Sequence, residues 1–199
     1  MTKLLLVDCD GTIREPLSGA KFISHPRDQR IMAGADKAIA HYRSRGWDVL
    51  GITNQGGVAA GHKSLEDAIA EQEYTLELFP ELSMIYFCPD FEGQECWMIS
   101  SNAAIDIHNH QQLCVLAGTF RKPKPGMLVA AMRWWRGMKS DVSAGTWYIG
   151  DREEDVGAAA AAGVNYLDAA IWRSRFLPGM HEMPPLTPAQ IEFLEGVKL

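Results

Sequence analysis

Asp8 and Asp10 stand one residue apart, directly after the apolar run Leu4-Leu5-Leu6-Val7 and directly before Gly11-Thr12. Side chains alternate along an extended chain, so the two carboxylates lie on one side and Cys9 on the other. Carboxylates so paired can bind a metal, supply a nucleophile with an acid/base partner, or do both. A pair of loop-capping acids is the plain alternative, and the motif alone does not decide. Three other polar groups sit at comparable places: Thr53-Asn54 after Val49–Ile52, Lys122 in Arg121-Lys122-Pro123-Lys124-Pro125-Gly126, and Asp151 after Trp147–Gly150.

Strands and helices alternate between these groups. Near-continuous apolar runs predict buried strands at Leu4–Val7, Val49–Thr53, Met84–Cys88, Trp147–Gly150 and Val164–Leu167. Ala35, Ala38, Ile39 and Tyr42 form a helical stripe ending near Gly46. Ser64 is placed to cap a helix running to about Phe79, with Leu65, Ile69, Leu76 and Phe79 as its expected buried stripe. Further helices are expected from Pro125-Gly126 to Trp135, from Val156 to Ala162, and after Thr187-Pro188. The pattern predicts an α/β fold: a doubly wound, Rossmann-like parallel sheet of about five or more strands in one domain over 1–199. Residues 89–121 show no periodicity and are expected to be an irregular loop insertion. Residues 173–199, with Arg173 and Arg175, are expected to be an exposed tail carrying a short helix. In such a sheet Asp8, Thr53-Asn54 and Asp151 converge at the carboxyl edge, where open α/β folds bind ligands.

A phosphate monoester at that edge would meet every group its hydrolysis needs. Asp8 can attack phosphorus, and Asp10 can protonate the leaving oxygen and then deprotonate water. The Thr53 hydroxyl, the Asn54 backbone N–H and Lys122 can hold phosphate oxygens. Asp8 and a phosphate repel each other, so a divalent cation is expected. Mg2+ suits an all-oxygen set of Asp8, Asp151 and Asp10 through its backbone carbonyl. Asp155, one helical turn beyond Asp151, would order a metal-bound water or hold Lys122.

The set Asp8-Cys9-Asp10-Gly11-Thr12, Thr53-Asn54-Gln55, Lys122-Pro123 and Gly150-Asp151-Arg152-Glu153-Glu154-Asp155, in this order, resembles the haloacid dehalogenase superfamily of aspartate-nucleophile phosphatases over roughly residues 3–168. The resemblance implies Mg2+-dependent phosphomonoester hydrolysis through an aspartyl phosphate. Asp10 implies a phosphatase, since dehalogenases of this fold lack that second acid. The stretch between Asp10 and the second strand is largely taken up by a core helix, which leaves no room for a large cap domain. The chain is thus similar to the small capless branch, which includes histidinol-phosphate phosphatase, heptose bisphosphate phosphatase and the polynucleotide 3′-phosphatases. A small sugar or amino-alcohol phosphate is the expected substrate, and a DNA or RNA 3′ end is the alternative. A phosphate-binding protein without catalysis is the second alternative.

Two segments bear on that choice. Cys88-Pro89-Asp90 through Cys96 is similar to the zinc loop of the histidinol and heptose phosphatases, although Asp90 stands where they carry His. The resemblance implies a structural zinc on Cys88, Cys96 and Cys114 with His108 or His110; a metal-free loop is the other reading. Ser18-Gly19-Ala20-Lys21-Phe22 with Arg27 and Arg30 resembles the segment after the first motif in polynucleotide 3′-phosphatases, which implies that these cations face a nucleic-acid end; a solvated connecting loop is the other reading.

Bulk properties set the outer limits. The chain has 199 residues, is 47% hydrophobic and carries a net charge of −6, with no basic run of the kind that tracks along nucleic acid. No apolar stretch has the length of a membrane helix, and four cysteines without a secretory leader read as reduced thiols or metal ligands. The expectation is a cytoplasmic monomer or dimer with no membrane partner and no kinase activity, since no P-loop is present.

Overall fold

The computed structural model describes residues 3–137, 145–179, 181 and 183–195. The first apolar run becomes β1 (Lys3–Asp8), buried from Leu4 onward because it lies in the middle of a seven-stranded sheet. Parallel partners flank it: β4 (Trp47–Asn54) on one side and β8 (Trp147–Gly150) on the other. The parallel set is completed by β5 (Met84–Cys88) beside β4 and β9 (Asn165–Asp168) beside β8. Two short strands, β2 (Arg14–Glu15) and β3 (Arg30–Ile31), pair as a separate ribbon over the carboxyl edge.

Alternation along β1 splits the core into two layers. Leu4 and Leu6 pack with Leu50, Ile52, Tyr86 and Tyr148 against α3 (Gly126–Trp135) and α4 (Glu153–Ala162). Leu5 and Val7 pack with Val49, Ile85 and Ile149 against α1 (Ala35–Ser44), whose buried face is the Ala35, Ala38, Ile39, Tyr42 stripe. On that second face also lie α2 (Leu65–Leu78), α5 (Ala169–Ser174) and α6 (Pro188–Glu195). Phe193 of α6 stacks between Tyr42 and Trp147, with ring centroids 4.8 and 4.2 Å away. Among the described residues no helix is long and apolar enough to cross a membrane.

Several expectations need correction. Residues 89–121 are not irregular throughout: β6 (Trp97–Ser100) and β7 (Ala103–Asp106) form a hairpin that extends the sheet antiparallel from β5. Each strand has only four residues, too few for a period to stand out. In α2 the fully buried positions are Ala68, Glu71, Gln72 and Thr75, whereas Leu65, Ile69 and Leu76 are half-buried. This helix turns a polar face inward because it meets a buried cation, described below. The Ser64 cap does form, accepting from Asp67 N–H at 3.0 Å while the Asp67 carboxylate accepts back from Ser64 N–H. The segment from 173 onward is no free tail. Arg173 is half-buried against the first loop, and Phe193 and Leu194 enter the core, while residues 196–199 lie outside the described residues.

Candidate active site

Three adjacent parallel strands deliver the polar groups to one edge. β1 ends in Asp8, β4 in Thr53-Asn54, and β8 in Gly150 just before Asp151. After β1 the chain turns at once: Cys9 C=O accepts the N–H groups of Thr12, Ile13 and Arg14. Gly11 adopts φ 87°, and a Cβ there would lie 2.4 Å from Asp151 Oδ2. Only glycine lets the two motif loops approach so closely. Gly150 is required for the same reason, since its Cβ would sit 2.5 Å from the Asp155 side chain.

Lys122 is the centre of the buried part of the site. Its ammonium donates to Asp8 Oδ1 at 2.5 Å, Asp155 Oδ1 at 2.7 Å and the Tyr148 hydroxyl oxygen at 3.0 Å, which uses all three protons. Asn54 places it: Asn54 Oδ1 accepts from Lys122 N–H and Asn54 Nδ2 donates to Lys122 C=O, each at 3.1 Å. Asp155 is saturated. Its Oδ1 also accepts from the Tyr148 hydroxyl at 2.7 Å, and its Oδ2 accepts the N–H groups of Asp151 and Arg152. The structure therefore makes Asp155 the holder of Lys122.

Burial pushes the Asp8 carboxyl up to about 7, with the Lys122 charge opposing and the Asp155 and Asp10 charges adding to the rise. Desolvation works against the Lys122 charge, but Asp8, Tyr148 and Asp155 outweigh it and hold the ammonium well above its ordinary range. The carboxylates of Asp8, Asp151 and Asp155 offer oxygens within 4.8 Å of one another. Asp151 is the exposed member, reached weakly by the Thr12 hydroxyl at 3.4 Å.

Asp10 faces a different surrounding. Arg14 Nε donates to its Oδ1 at 2.9 Å, while the Thr53 hydroxyl at 3.1 Å and Gln55 Nε2 at 3.0 Å donate to Oδ2. Thr53 thus turns its hydroxyl toward Asp10. Arg14 has no exposed surface, and its remaining donors reach Glu71 Oε1 at 2.7 Å, Gln29 Oε1 at 3.2 Å and the Thr75 hydroxyl. Glu71 also pairs with Lys63, which donates in turn to Gln55 Oε1 at 3.1 Å. Burial tends to raise the Asp10 carboxyl, but the Arg14 charge and hydrogen bond, with Lys63 and Thr53, outweigh it and hold the group below the usual carboxylate range.

Both clusters open into a cleft of about 870 Å³ lined by Asp8, Asp10, Thr53, Asn54 and Lys122. Lys21, Phe22, Phe91 and Arg121 also line it. Phe22 and Phe91 are 63% and 53% exposed, unusual values for large apolar side chains beside a polar site. The Arg121 guanidinium lies over Phe91 at 5.2 Å. Of the three cations expected to face a nucleic-acid end, only Lys21 lines the cleft. Arg27 lies over Tyr74 near Glu77, and Arg30 pairs with Glu15 at 2.8 Å.

The zinc expectation finds no support among the described residues. Among the described residues the Asp8, Asp151 and Asp155 group is the one with metal-ligand convergence. Cys88 donates to Asp90 C=O, Cys96 N–H donates to His108 Nδ1, the His110 ring meets Trp134, and exposed Cys114 donates to Gln111 C=O. Asp90 organises this loop, its carboxylate accepting the N–H groups of Gly93, Gln94 and Glu95. Sequence reasoning missed Arg14, Gln55, Lys63, Glu71, Tyr148 and Arg173. Two signals were readable: Gln55 stands directly after Thr53-Asn54, and Arg14 lies four residues after Asp10, a spacing that brings side chains together in a tight turn.

The family model described as polynucleotide kinase 3 phosphatase matches residues 3–166. The D-glycero-beta-D-manno-heptose-1,7-bisphosphate 7-phosphatase of Pseudomonas putida is 30% identical over 174 residues, covering 81% of this chain and 78% of its own. The histidine biosynthesis bifunctional protein of Legionella pneumophila is 27% identical over 173 residues, 84% of this chain and 41% of that one. Among solved structures, the D,D-heptose 1,7-bisphosphate phosphatase from B. bronchiseptica, complexed with magnesium and phosphate, superimposes with TM-score 0.61 at 24% identity over 83% of this chain and 79% of that one. A HAD-like phosphatase from Mesorhizobium loti gives TM-score 0.59 at 27% identity, covering 82% and 69%.

Proposed function

The chain belongs to the polynucleotide kinase 3 phosphatase family, within the capless branch of haloacid dehalogenase phosphatases, and from that premise we propose that it hydrolyses a small sugar or amino-alcohol phosphate through an aspartyl phosphate on Asp8. The observation that carries this reading is Lys122 held between Asp8 and Asp155, with Asp151 beside them at the ends of adjacent strands. A bound Mg2+ would be held by the carboxylates of Asp8 and Asp151 and by the Asp10 carbonyl, and it would offset the repulsion between Asp8 and substrate phosphate. The donor set fits such an ion, since it is all oxygen and unites a buried carboxylate with an exposed one.

In the proposed first step an Asp8 carboxylate oxygen attacks phosphorus, the bond from phosphorus to the leaving oxygen breaks, and Asp10 delivers a proton to that oxygen. Arg14 keeps Asp10 ionised at rest, so this proton enters with the phosphate monoanion of the substrate. In the second step Asp10, now a carboxylate, takes a proton from the water that attacks the aspartyl phosphate. The bond from Asp8 to phosphorus breaks, phosphate leaves carrying the proton that Asp10 had taken up, and both Asp8 and Asp10 are regenerated as carboxylates. Lys122 keeps its charge at the Asp8 carboxylate throughout, in a setting where a fixed charge acts with little screening.

A specific observation favours a second reading, a 3′-phosphorylated polynucleotide end. The cleft is flanked by exposed Phe22 and Phe91, each beside a cation, and aromatic faces next to positive charge suit stacked bases along a phosphate backbone. The deciding experiment is a Mg2+-dependent phosphatase assay of wild type and Asp8→Asn on an aryl phosphate, then on sugar phosphates, histidinol phosphate and a 3′-phosphorylated oligonucleotide. Full activity of Asp8→Asn would remove the nucleophile assignment, and the preferred substrate separates the two readings.

A further inference from the structure

Arg173 lies beyond the family-matched stretch and outside the cleft, yet it reaches back to the loop that follows the proposed nucleophile. Its Nη1 donates to Gly11 C=O at 3.1 Å and to Thr12 C=O at 2.6 Å. The inner carbonyl of that turn, Cys9 C=O, is already occupied by three N–H groups, and Ile13 C=O accepts from Met32 N–H. Arg173 therefore satisfies the Gly11 and Thr12 carbonyls of this turn.

The helix bearing it is fixed at both ends of the short distance. Asp168 caps α5 by accepting from Ala170 and Ile171 N–H, and Trp172 is fully buried in the core. On the other side Gly34 lets α1 close onto Arg173, since a Cβ there would stand 2.8 Å from Arg173 C=O. The loop so clamped is the one whose Gly11 abuts the Asp151 carboxylate and whose Thr12 hydroxyl points to it.

We infer that Arg173 is a positioning residue for the divalent-cation site: it fixes the Gly11-Thr12 peptides against Asp151, and so orients both that carboxylate and the Asp10 carbonyl just before Gly11. The inference rests on the reading of those groups as cation ligands. Groups that orient metal ligands from outside typically change affinity about 10- to 100-fold when removed.

The experiment is Mg2+ titration calorimetry without substrate on wild type, Arg173→Lys and Arg173→Met, with melting curves and steady-state kinetics on an aryl phosphate. Mg2+ affinity is expected to fall about 10- to 100-fold in Arg173→Met, and by less in Arg173→Lys, which keeps a charged donor without the planar fork. The aryl phosphate KM at saturating Mg2+ should stay within about threefold of wild type, because Arg173 does not touch the cleft. If Arg173→Met does not fold, Arg173→Lys alone decides, a weakened Mg2+ affinity supporting the inference. Unchanged Mg2+ affinity in the folded variants overturns it, as does a KM rise as large as the affinity loss. Wild type that binds no Mg2+ would instead overturn the cation reading on which it rests.

Discussion

Arg14 Nε donates to Asp10 Oδ1 at 2.9 Å from a position with no solvent exposure, so the carboxylate proposed for proton transfer, itself open to the cleft, is paired to a fully buried charge. The same guanidinium reaches Glu71 of α2 at 2.7 Å. Glu71 is buried, so loss of Arg14 leaves it with Lys63 as its remaining charged partner. Arg14→Leu should cost about 3–5 kcal/mol, the usual cost of removing one member of a buried pair. Urea unfolding checks this, and an unchanged midpoint at unchanged slope would contradict it.

Lys122, Asp8 and Asp155 are coupled, and the coupling is measurable. Lys122→Met leaves two buried carboxylates close together, and its turnover should fall by roughly 10²–10³ as the fixed charge is lost. Its stability loss should shrink when combined with Asp8→Asn, which removes one of the facing charges, giving a coupling of about 1–3 kcal/mol. Four unfolding curves complete the cycle. Simple additivity would mean that the two side chains do not share their stabilisation.

Phe22 and Phe91 distinguish the two substrate readings. A base stacked on an aromatic side chain contributes about 1–3 kcal/mol, so Phe22→Ala or Phe91→Ala should raise KM for a 3′-phosphorylated oligonucleotide about 10- to 100-fold. On a small sugar phosphate, which carries no base to stack, both variants should leave KM unchanged. Equal effects on the two substrates would argue against a stacking role.

Asp90 makes a pH-dependent contribution whose sign follows from its surroundings. Partial burial tends to raise its carboxyl, but the N–H groups of Glu95, Gln94 and Gly93 outweigh it and hold the group below its ordinary value of 3.8. A depressed folded-state value stabilises the protein above the unfolded value, and this contribution is lost as pH falls through the folded one. Asp90→Ala should therefore be less stable than wild type at neutral pH, by a margin that solvent screening keeps modest, with the difference narrowing below pH 3.8. A difference that stays constant with pH would show that the ionised carboxylate is not the source.

The five parallel strands and the four motifs were legible in the sequence because each rests on local physics, whereas their order across the sheet was not. Apolar runs bury as strands, and acids after such runs must emerge at the edge. Asp8, Asp10 and Asp151 could be named on that basis, and Lys122 from its place in the Arg121-Lys122-Pro123-Lys124-Pro125-Gly126 segment. The β6–β7 hairpin was hidden by its short strands, and α2 misled because hydrophobic spacing says nothing of a polar face drawn inward by an ion pair.

What only the tertiary structure decided are the relations between distant residues. Asn54 holds the backbone of Lys122, Glu71 holds Arg14 against Asp10, and Arg173 returns from the far end of the chain to the first loop. Each depends on a donor meeting an acceptor across tens of residues, which residue type and spacing leave undetermined. The amino-acid sequence by itself determined which groups could do the chemistry. The packing of helices around a five-stranded parallel core determined how each is charged and held, because burial and pairing arise only when the chain is folded.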